Sequence, residues 1–324
     1  MSKILLRGKM NNVFIRIIGN MKRNIYSKLW MIFFVLMGTA CTNQVEDAIP
    51  VSDQPIEFSV QSDWKEIPNT RSNDGKTKFN TGDEIQIFGF HKSSSGEVQK
   101  FMYRVDGWIR GQIVKFDGTN WNYSPKRFWP KEGKLDFYAG YPAYSVGYDE
   151  KHNRMFYEQE THPLELDLLW GVSTGHDCTT TGRRSNVEIT MKHALAKVII
   201  RFDSSLGEIK QAIVSAYNAG YFSPNETQGI PHWNVDTTSI QKVTIIPYYQ
   251  DQTAIGDATV FILPDKITGL ILTKKLDGTV IDASKEIKKY TFEAGKLYDL
   301  TIKGVQKTNT NTRSIAMSVR CVSE

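Results

Sequence analysis

From Ile56 onward, apolar and polar residues alternate in short runs separated by turn residues. The period of two, with β-branched and aromatic enrichment, predicts strands at Ile56 to Val60, Glu84 to Phe90, Gln112 to Phe116, Asn120 to Tyr123, Leu135 to Tyr141, Leu164 to Leu168 and Val187 to Met191. The same pattern continues at Lys197 to Phe202, Lys210 to Ala216, Lys242 to Pro247, Ala258 to Leu263, Gly269 to Lys274, Lys288 to Phe292 and Lys296 to Ile302. Asn73-Asp74-Gly75, Asp117-Gly118, Ser223-Pro224-Asn225 and Asp277-Gly278 fall between the runs, where backbone reversal needs such residues. No segment carries a long stripe of period 3.6, and only Met191 to Lys197 reads as a helical turn. Many short strands at this spacing predict an all-β chain built of β-sandwiches. The polar segment Gly171 to Ser185 is the expected boundary, giving an N-terminal sandwich over 56–182 and a C-terminal one over 183–305.

The pattern breaks upstream. Leu29 to Ala40 has no charge and closes on small residues before Cys41. Twelve residues are too few for a membrane span, which needs ~20 apolar residues, but they suit the apolar region of an export signal. Gly38-Thr39-Ala40-Cys41 resembles the lipobox of lipoprotein precursors, with Gly38 in the place of the usual branched residue. Residues 1–40 are thus expected to be a removable leader, Lys22, Arg23 and Lys28 make Met21 a second candidate start, and Cys41 is the expected lipidation site. Residues 41–55 then form a lipidated tether, in which Glu46-Asp47 resembles the acidic stretch of surface-exported lipoproteins.

Without the leader the charge changes sign. The whole chain carries a net +5, but residues 41–324 hold 33 basic and 35 acidic side chains. No phosphate-binding surface is implied, so nucleic acid is not an expected partner. Beyond Cys41 only Cys178 and Cys321 remain, which allows one disulfide but no stapled scaffold and no paired-cysteine metal site. Neither a metal nor another cofactor is expected. The histidines are scattered singly, and His193 reads as a core or cap residue. His176-Asp177-Cys178 has nucleophile-like residue types, yet neighbouring side chains on extended backbone point to opposite faces. With no HExxH, GxSxG or glycine-rich phosphate loop, an enzyme is not expected. Asn225-Glu226-Thr227 fits a glycosylation sequon but reads as a turn.

Several pieces, in order, resemble one family. They are Thr81-Gly82-Asp83-Glu84-Ile85-Gln86-Ile87-Phe88, Trp121-Asn122-Tyr123, Phe128-Trp129-Pro130, Leu135 to Pro142, Asp167-Leu168-Leu169-Trp170, Val187 to Val198 and Ala294 to Ile302. Behind a lipoprotein leader this set is similar to the fimbrillins, the subunits of type V pili. The resemblance implies two tandem transthyretin-like β-sandwiches and a subunit exported to the outer membrane as a lipoprotein, exposed at the cell surface or built into a fimbrium. It also implies a cut after an arginine that follows the first strand, by an arginine-specific or trypsin-like protease, opening a groove for a strand from the next subunit. Arg71, in Asn69 to Gly75, is the candidate cleavage site. In the tail, residues 306–324, Ser314 to Val322 alternates so that Ile315, Met317, Val319 and Cys321 share a face. That suits a donor strand adding to a neighbouring subunit, and equally a last strand folding back on its own domain. Trp121, Tyr123, Phe128, Trp129, Phe137, Tyr138 and Tyr141 read as core packing. A lipid-anchored glycan-binding protein using Trp121, Trp129 and Tyr138 is the alternative, and a host or bacterial surface ligand would be an adhesin's partner.

Overall fold

The computed structural model describes residues 49–62, 78–105, 109–158, 167–224, 229–250, 253–255, 258–306 and 313–322. Its described residues are almost wholly β. In the first half, strands order as Lys134–Tyr141, Leu169–Asp177, Val187–His193, Phe58–Ser62, Trp121–Asn122, Gln112–Phe116, Glu84–Lys92 and Val98–Met102 in one eight-stranded sheet. Glu84–Lys92 also pairs with Lys134–Tyr141, from Lys92 opposite Lys134 to Gln86 opposite Gly140. The first strand of the order and the last but one are thereby hydrogen-bonded, closing seven strands into a ring with Val98–Met102 outside it. Ile56, Phe58, Ile85, Ile87, Val114, Phe137 and Ile189 are buried.

Leu169–Asp177 falls where the Gly, Ser and Thr content predicts a boundary. It is a strand because both neighbours hold it, Tyr141 lying opposite Leu169 and His193 also opposite Leu169. Gly171 permits the close approach, since a Cβ there would lie 2.6 Å from Ile189 Cγ2. Of the expected strand at Leu164 to Leu168, the described part, Asp167 and Leu168, precedes the strand and does not form it.

Sheet membership changes at Ala194-Leu195. Val187–His193 belongs to the first sheet, and Ala196–Phe202 opens a second set. The helical turn expected over Met191 to Lys197 is absent: both residues are buried and Ala194 N–H donates to Leu168 O at 2.8 Å, keeping the segment extended.

Two four-stranded sheets follow, facing one another. One runs Ala258–Ile262, Ala196–Phe202, Leu297–Gln306, Arg313–Val322, and the other Ile240–Ile245, Ile209–Tyr217, Ile267–Lys274, Val280–Asp282. Alternate residues of both build one core, with Val198, Ile200, Val260 and Leu300 meeting Ala212, Val214, Leu270 and Leu272. The expected strand at Lys288 to Phe292 is a correction. A short helix, Ser284–Ile287, precedes it, turn hydrogen bonds continue through Tyr290, and only Phe292 bridges to Asp265.

A further six-stranded sheet draws on both halves: Asn234–Val235, Ala219–Phe222, Arg154–Glu158, Val146–Asp149, Ile109–Arg110 and Arg104–Val105. Met155 lies opposite Phe222 and Tyr157 opposite Gly220. Its apolar side packs on the outside of the ring, where Phe88, Phe90, Tyr138 and Trp170 meet Val146, Met155, Tyr157, Phe222 and Leu263. This explains why Glu84–Lys92 is buried on both faces and does not alternate as a surface strand would. The Trp233 indole adds a donor to Ala194 O at 2.7 Å and packs edge-on against Tyr157 and Phe222.

Candidate functional site

The segment most distinct in its setting is the strand of the eight-stranded sheet that comes first in the chain, the first strand hereafter. Phe58–Ser62 lies parallel to Val187–His193, with Phe58 opposite Val187 and Val60 opposite Ile189, and Phe58 also pairs with Trp121 on its other side. Alternation turns Ile56, Phe58 and Val60 inward, at 0%, 3% and 9% exposure, and leaves Ser59 outward. Upstream, Val51–Pro55 pairs with Phe128–Pro130 in a separate two-stranded sheet.

Several polar groups around this strand hold it in place. Tyr123 Oη donates to Ile56 O at 2.8 Å and the Trp121 indole N–H to Val60 O at 3.2 Å. Val187 N–H donates to Glu57 O at 2.7 Å, and Ile56 N–H to Arg127 O at 2.8 Å. Lys126 pairs with Glu57 at 3.0 Å, and Gln54 exchanges two hydrogen bonds with the Arg184 backbone. The Phe58 ring sits against Tyr123 and, edge-on, Phe137, with centroids 5.8 and 5.3 Å away. Burial pushes the Tyr123 phenol up to about 12. Removing this strand would therefore strip an apolar row and expose donors that have lost their acceptors.

The tail is paired quite differently. Arg313–Val322 folds back antiparallel to Leu297–Gln306, with Ile315 opposite Gly304, Met317 opposite Ile302 and Val319 opposite Leu300. It is the outermost strand of its sheet. Ile315, Met317 and Val319 pack on the core but stay half-buried, and Tyr290 Oη donates to Met317 O at 3.0 Å. Cys321, on the same face by alternation, is exposed opposite Tyr298. Of the two fates open from the sequence, the folded-back strand is the one this structure contains. Cys41 and Arg71 lie outside the described residues.

Other sequence candidates are dispersed into packing. Trp121, Trp129 and Tyr138 are 4%, 3% and 2% exposed, so they offer no platform for a sugar. The glycan-binding alternative built on them is thereby corrected: these rings fill the core, Trp121 against Phe79 and Phe116, Trp129 against Phe137 and His176, Tyr138 against Phe90 and Trp170. Asp177 points outward, binding Thr179, while Cys178 is buried with its thiol pushed up to about 11 by desolvation. His176, also desolvated, is shifted down and bonds Ser173 Oγ at 2.9 Å, so no activated nucleophile forms there. Cys178 and Cys321 are unpaired. His193 Nδ1 meets Asp167 Oδ2 at 2.5 Å at the junction of the two sheets. Among the described residues no group of three or more His, Cys, Asp or Glu side chains converges on a metal position.

The fimbrillin-like family model matches residues 70–317. The chain belongs to the fimbrillin-like family. No curated protein matches its sequence. Among solved structures, a candidate cell adhesion protein from Bacteroides uniformis ATCC 8492 is similar at 17% identity and a TM-score of 0.50, over 83% of this chain and 98% of that one. A second candidate cell adhesion protein, from Bacteroides ovatus ATCC 8483, has 14% identity and a TM-score of 0.48, over 84% and 99%. A fimbrial protein from Bacteroides vulgatus ATCC 8482 has 14% identity and a TM-score of 0.45, over 84% and 100%. At 17% identity the likeness to the first of these is one of fold alone.

Proposed function

We propose that this fimbrillin-like protein is a structural or tip subunit of a type V pilus, exported as a surface lipoprotein through Cys41 and assembled with other subunits by strand exchange, with a role in adhesion. Trimming after Arg71 releases residues 41–71, and with them the first strand. The observation that carries this reading is the seat of Phe58–Ser62, whose Phe58 and Val60 are buried between Val187–His193 and Trp121–Asn122, with Ile56 buried just ahead of it.

A parallel strand of the same kind exists in the second half, where Ala196–Phe202 pairs with Leu297–Gln306. That strand is continuous with folded sheet on both sides, so one backbone cut cannot free it. The proposed tandem organisation, 56–182 and 183–305, therefore leaves the removable segment, which carries Val51–Pro55 and Phe58–Ser62, to the first sandwich alone. Its vacated row would cost roughly 1.5 to 3 kcal/mol per exposed large apolar side chain. The tail supplies three such side chains that are only half-buried at home, so transfer into a deeper site favours exchange.

The test is limited trypsin digestion of residues 41–324 followed by size analysis. Trimmed protein is expected to form ordered oligomers, and deletion of residues 313–324 to abolish them. Protein that remains monomeric under every trimming condition would sink the reading.

A further inference from the structure

The six-stranded sheet has a second face, turned away from the seven-stranded ring. Val146, Tyr148, Met155, Tyr157 and Phe222 point into the core, so alternation turns the residues between them outward. In register these outward residues are Arg104 opposite Arg110, Gly147 opposite Phe156, Phe156 opposite Tyr221, and Tyr221 opposite Asn234. Tyr148 lies opposite Ile109, which brings Arg110 beside Gly147 and makes the row continuous. At ~4.8 Å per strand step the row runs for roughly 24 Å.

Three features distinguish this row from a plain solvated face. Gly147 has no side chain, and a Cβ there would lie 2.2 Å from Phe156 Cζ, so the half-buried Phe156 ring lies down across the glycine as a flat apolar surface. Beside the two arginines, exposed Tyr144 is held at φ 70, a left-handed conformation that bulky side chains rarely adopt. Arg104 Nη1 donates to Tyr144 Oη at 3.1 Å, with its guanidinium 4.5 Å from the ring centre, and Arg110 Nη1 donates to Tyr144 O at 3.2 Å. Toward the other end, the Arg154 guanidinium lies 4.2 Å from the centre of the exposed Tyr221 ring. Arg154 Nε donates to Asp149 Oδ2 at 3.1 Å, while its two Nη groups make no hydrogen bond among the described residues. Ring and carboxylate thus fix the guanidinium plane and leave its fork for a pair of oxygens. The His152 side chain, and after it Arg154, hold the Asp149 carboxyl below the usual carboxylate range, so it stays a fixed counter-charge.

We infer that this face binds an acidic polysaccharide, with sugar rings lying on Phe156 and Tyr221 and a uronate carboxylate taken by the fork of Arg154. The chemistry of the row selects this class. A pyranose ring has an apolar C–H face that packs on an aromatic ring, and a carboxylate matches a guanidinium bidentately. Charge points the same way, since three guanidinium groups lie along the row and Asp149, which touches one of them, is shared with His152. A bound peptide strand would need the free backbone of a sheet edge, whereas these groups lie on a face. A nucleic acid single strand would use the same rings with a basic track along its backbone, yet residues 41–324 hold 33 basic and 35 acidic side chains. The rings of this face are distinct from Trp121, Trp129 and Tyr138, which stay buried. The inference gives the proposed adhesive role a ligand class and does not depend on strand exchange.

The test titrates uncut residues 41–324 with polygalacturonate, alginate and hyaluronan at physiological ionic strength. The tightest binder is then compared with its own methyl ester, which keeps the rings and removes the charge, and with a single-stranded DNA oligonucleotide. R154K keeps a positive charge beside Asp149 but loses the planar fork, and Y144A removes an exposed ring. The expected result is binding of at least one uronate polymer, weakened at least about tenfold by esterification and by R154K. Y144A should weaken it several-fold, with both variants melting as the parent does. No binding of any of the three polymers, equal binding of the ester, or tighter binding of the DNA overturns the inference. Parent affinity in folded R154K and Y144A overturns it too, by placing the ligand elsewhere. Should a variant fold poorly, the ester and DNA comparisons decide on the parent chain alone. None of these failures touches the strand-exchange reading, which the oligomers of trimmed protein test separately.

Discussion

The Trp121 indole N–H reaches Val60 O at 3.2 Å, tying the hairpin that begins at Gln112 to the end of the first strand. Tyr123, two residues on, does the same for Ile56. Between them the two side chains hold both ends of the apolar row that the sequence presents as Ile56, Phe58 and Val60.

Trp121→Phe keeps most of the ring but removes the donor, leaving a buried carbonyl unsatisfied. A loss of about 1 to 3 kcal/mol is expected. Denaturant unfolding measures it, and hydrogen exchange should show faster opening of residues 58–62 than of the second-half sheets.

Phe58 and Met317 should behave oppositely. Phe58→Ala empties a buried site and is expected to cost the untrimmed chain about 3 to 5 kcal/mol. Met317 is half-buried at a sheet edge, so Met317→Ala should cost the monomer less yet suppress oligomers after trimming. Equal monomer losses for the two variants would contradict the difference in burial.

Gly304→Ala addresses the second half alone. A Cβ at Gly304 would lie 2.7 Å from Ser205 O, a backbone atom, where Gly304 N–H already donates to Ser205 Oγ at 3.0 Å. Overpacking of this kind typically costs about 1 to 3 kcal/mol. The expected outcome is a lowered midpoint and a tail hairpin more open to proteolysis, with the first-strand seat unchanged.

The buried Tyr123 phenol and Cys178 thiol both give a pH dependence in the alkaline range. Each has its folded pKa raised by burial, Tyr123 to about 12 and Cys178 to about 11, from ordinary values of 10.0 and 9.0. A raised pKa means the folded state holds the proton longer than the unfolded state, so their contribution is intact below pH 9 and is lost as pH rises through 9 to 12. Stability measured against pH should fall across that window. At neutral pH a thiol reagent should label Cys321 rapidly and Cys178 only on unfolding.

Much of the fold was legible because its long strands carry their own alternation. Gln112–Phe116, Val187–His193 and Ile267–Lys274 follow from period two and turn residues such as Gly118 and Gly278, both at positive φ. What was illegible depends on distant partners. Leu169–Asp177 has a loop's composition and is a strand only because two neighbours bind it. The six-stranded sheet consists of runs of two to five residues, too short to show a period, drawn from sequence positions as far apart as Arg104 and Val235. The aromatic residues were legible as packing, and their burial decides against the sugar-binding surface. The tail's alternation was legible too, but alternation alone could not say which sheet it joins. Its present partner, Leu297–Gln306, emerges only from the register.

The account turns on whether assembled subunits have lost the first strand. N-terminal sequencing of the protein in purified fibres tests this directly. The account predicts Ser72 as the first residue, following the cut after Arg71. Fibre-borne protein that still begins at a lipidated Cys41, with Ile56, Phe58 and Val60 in place, would contradict it.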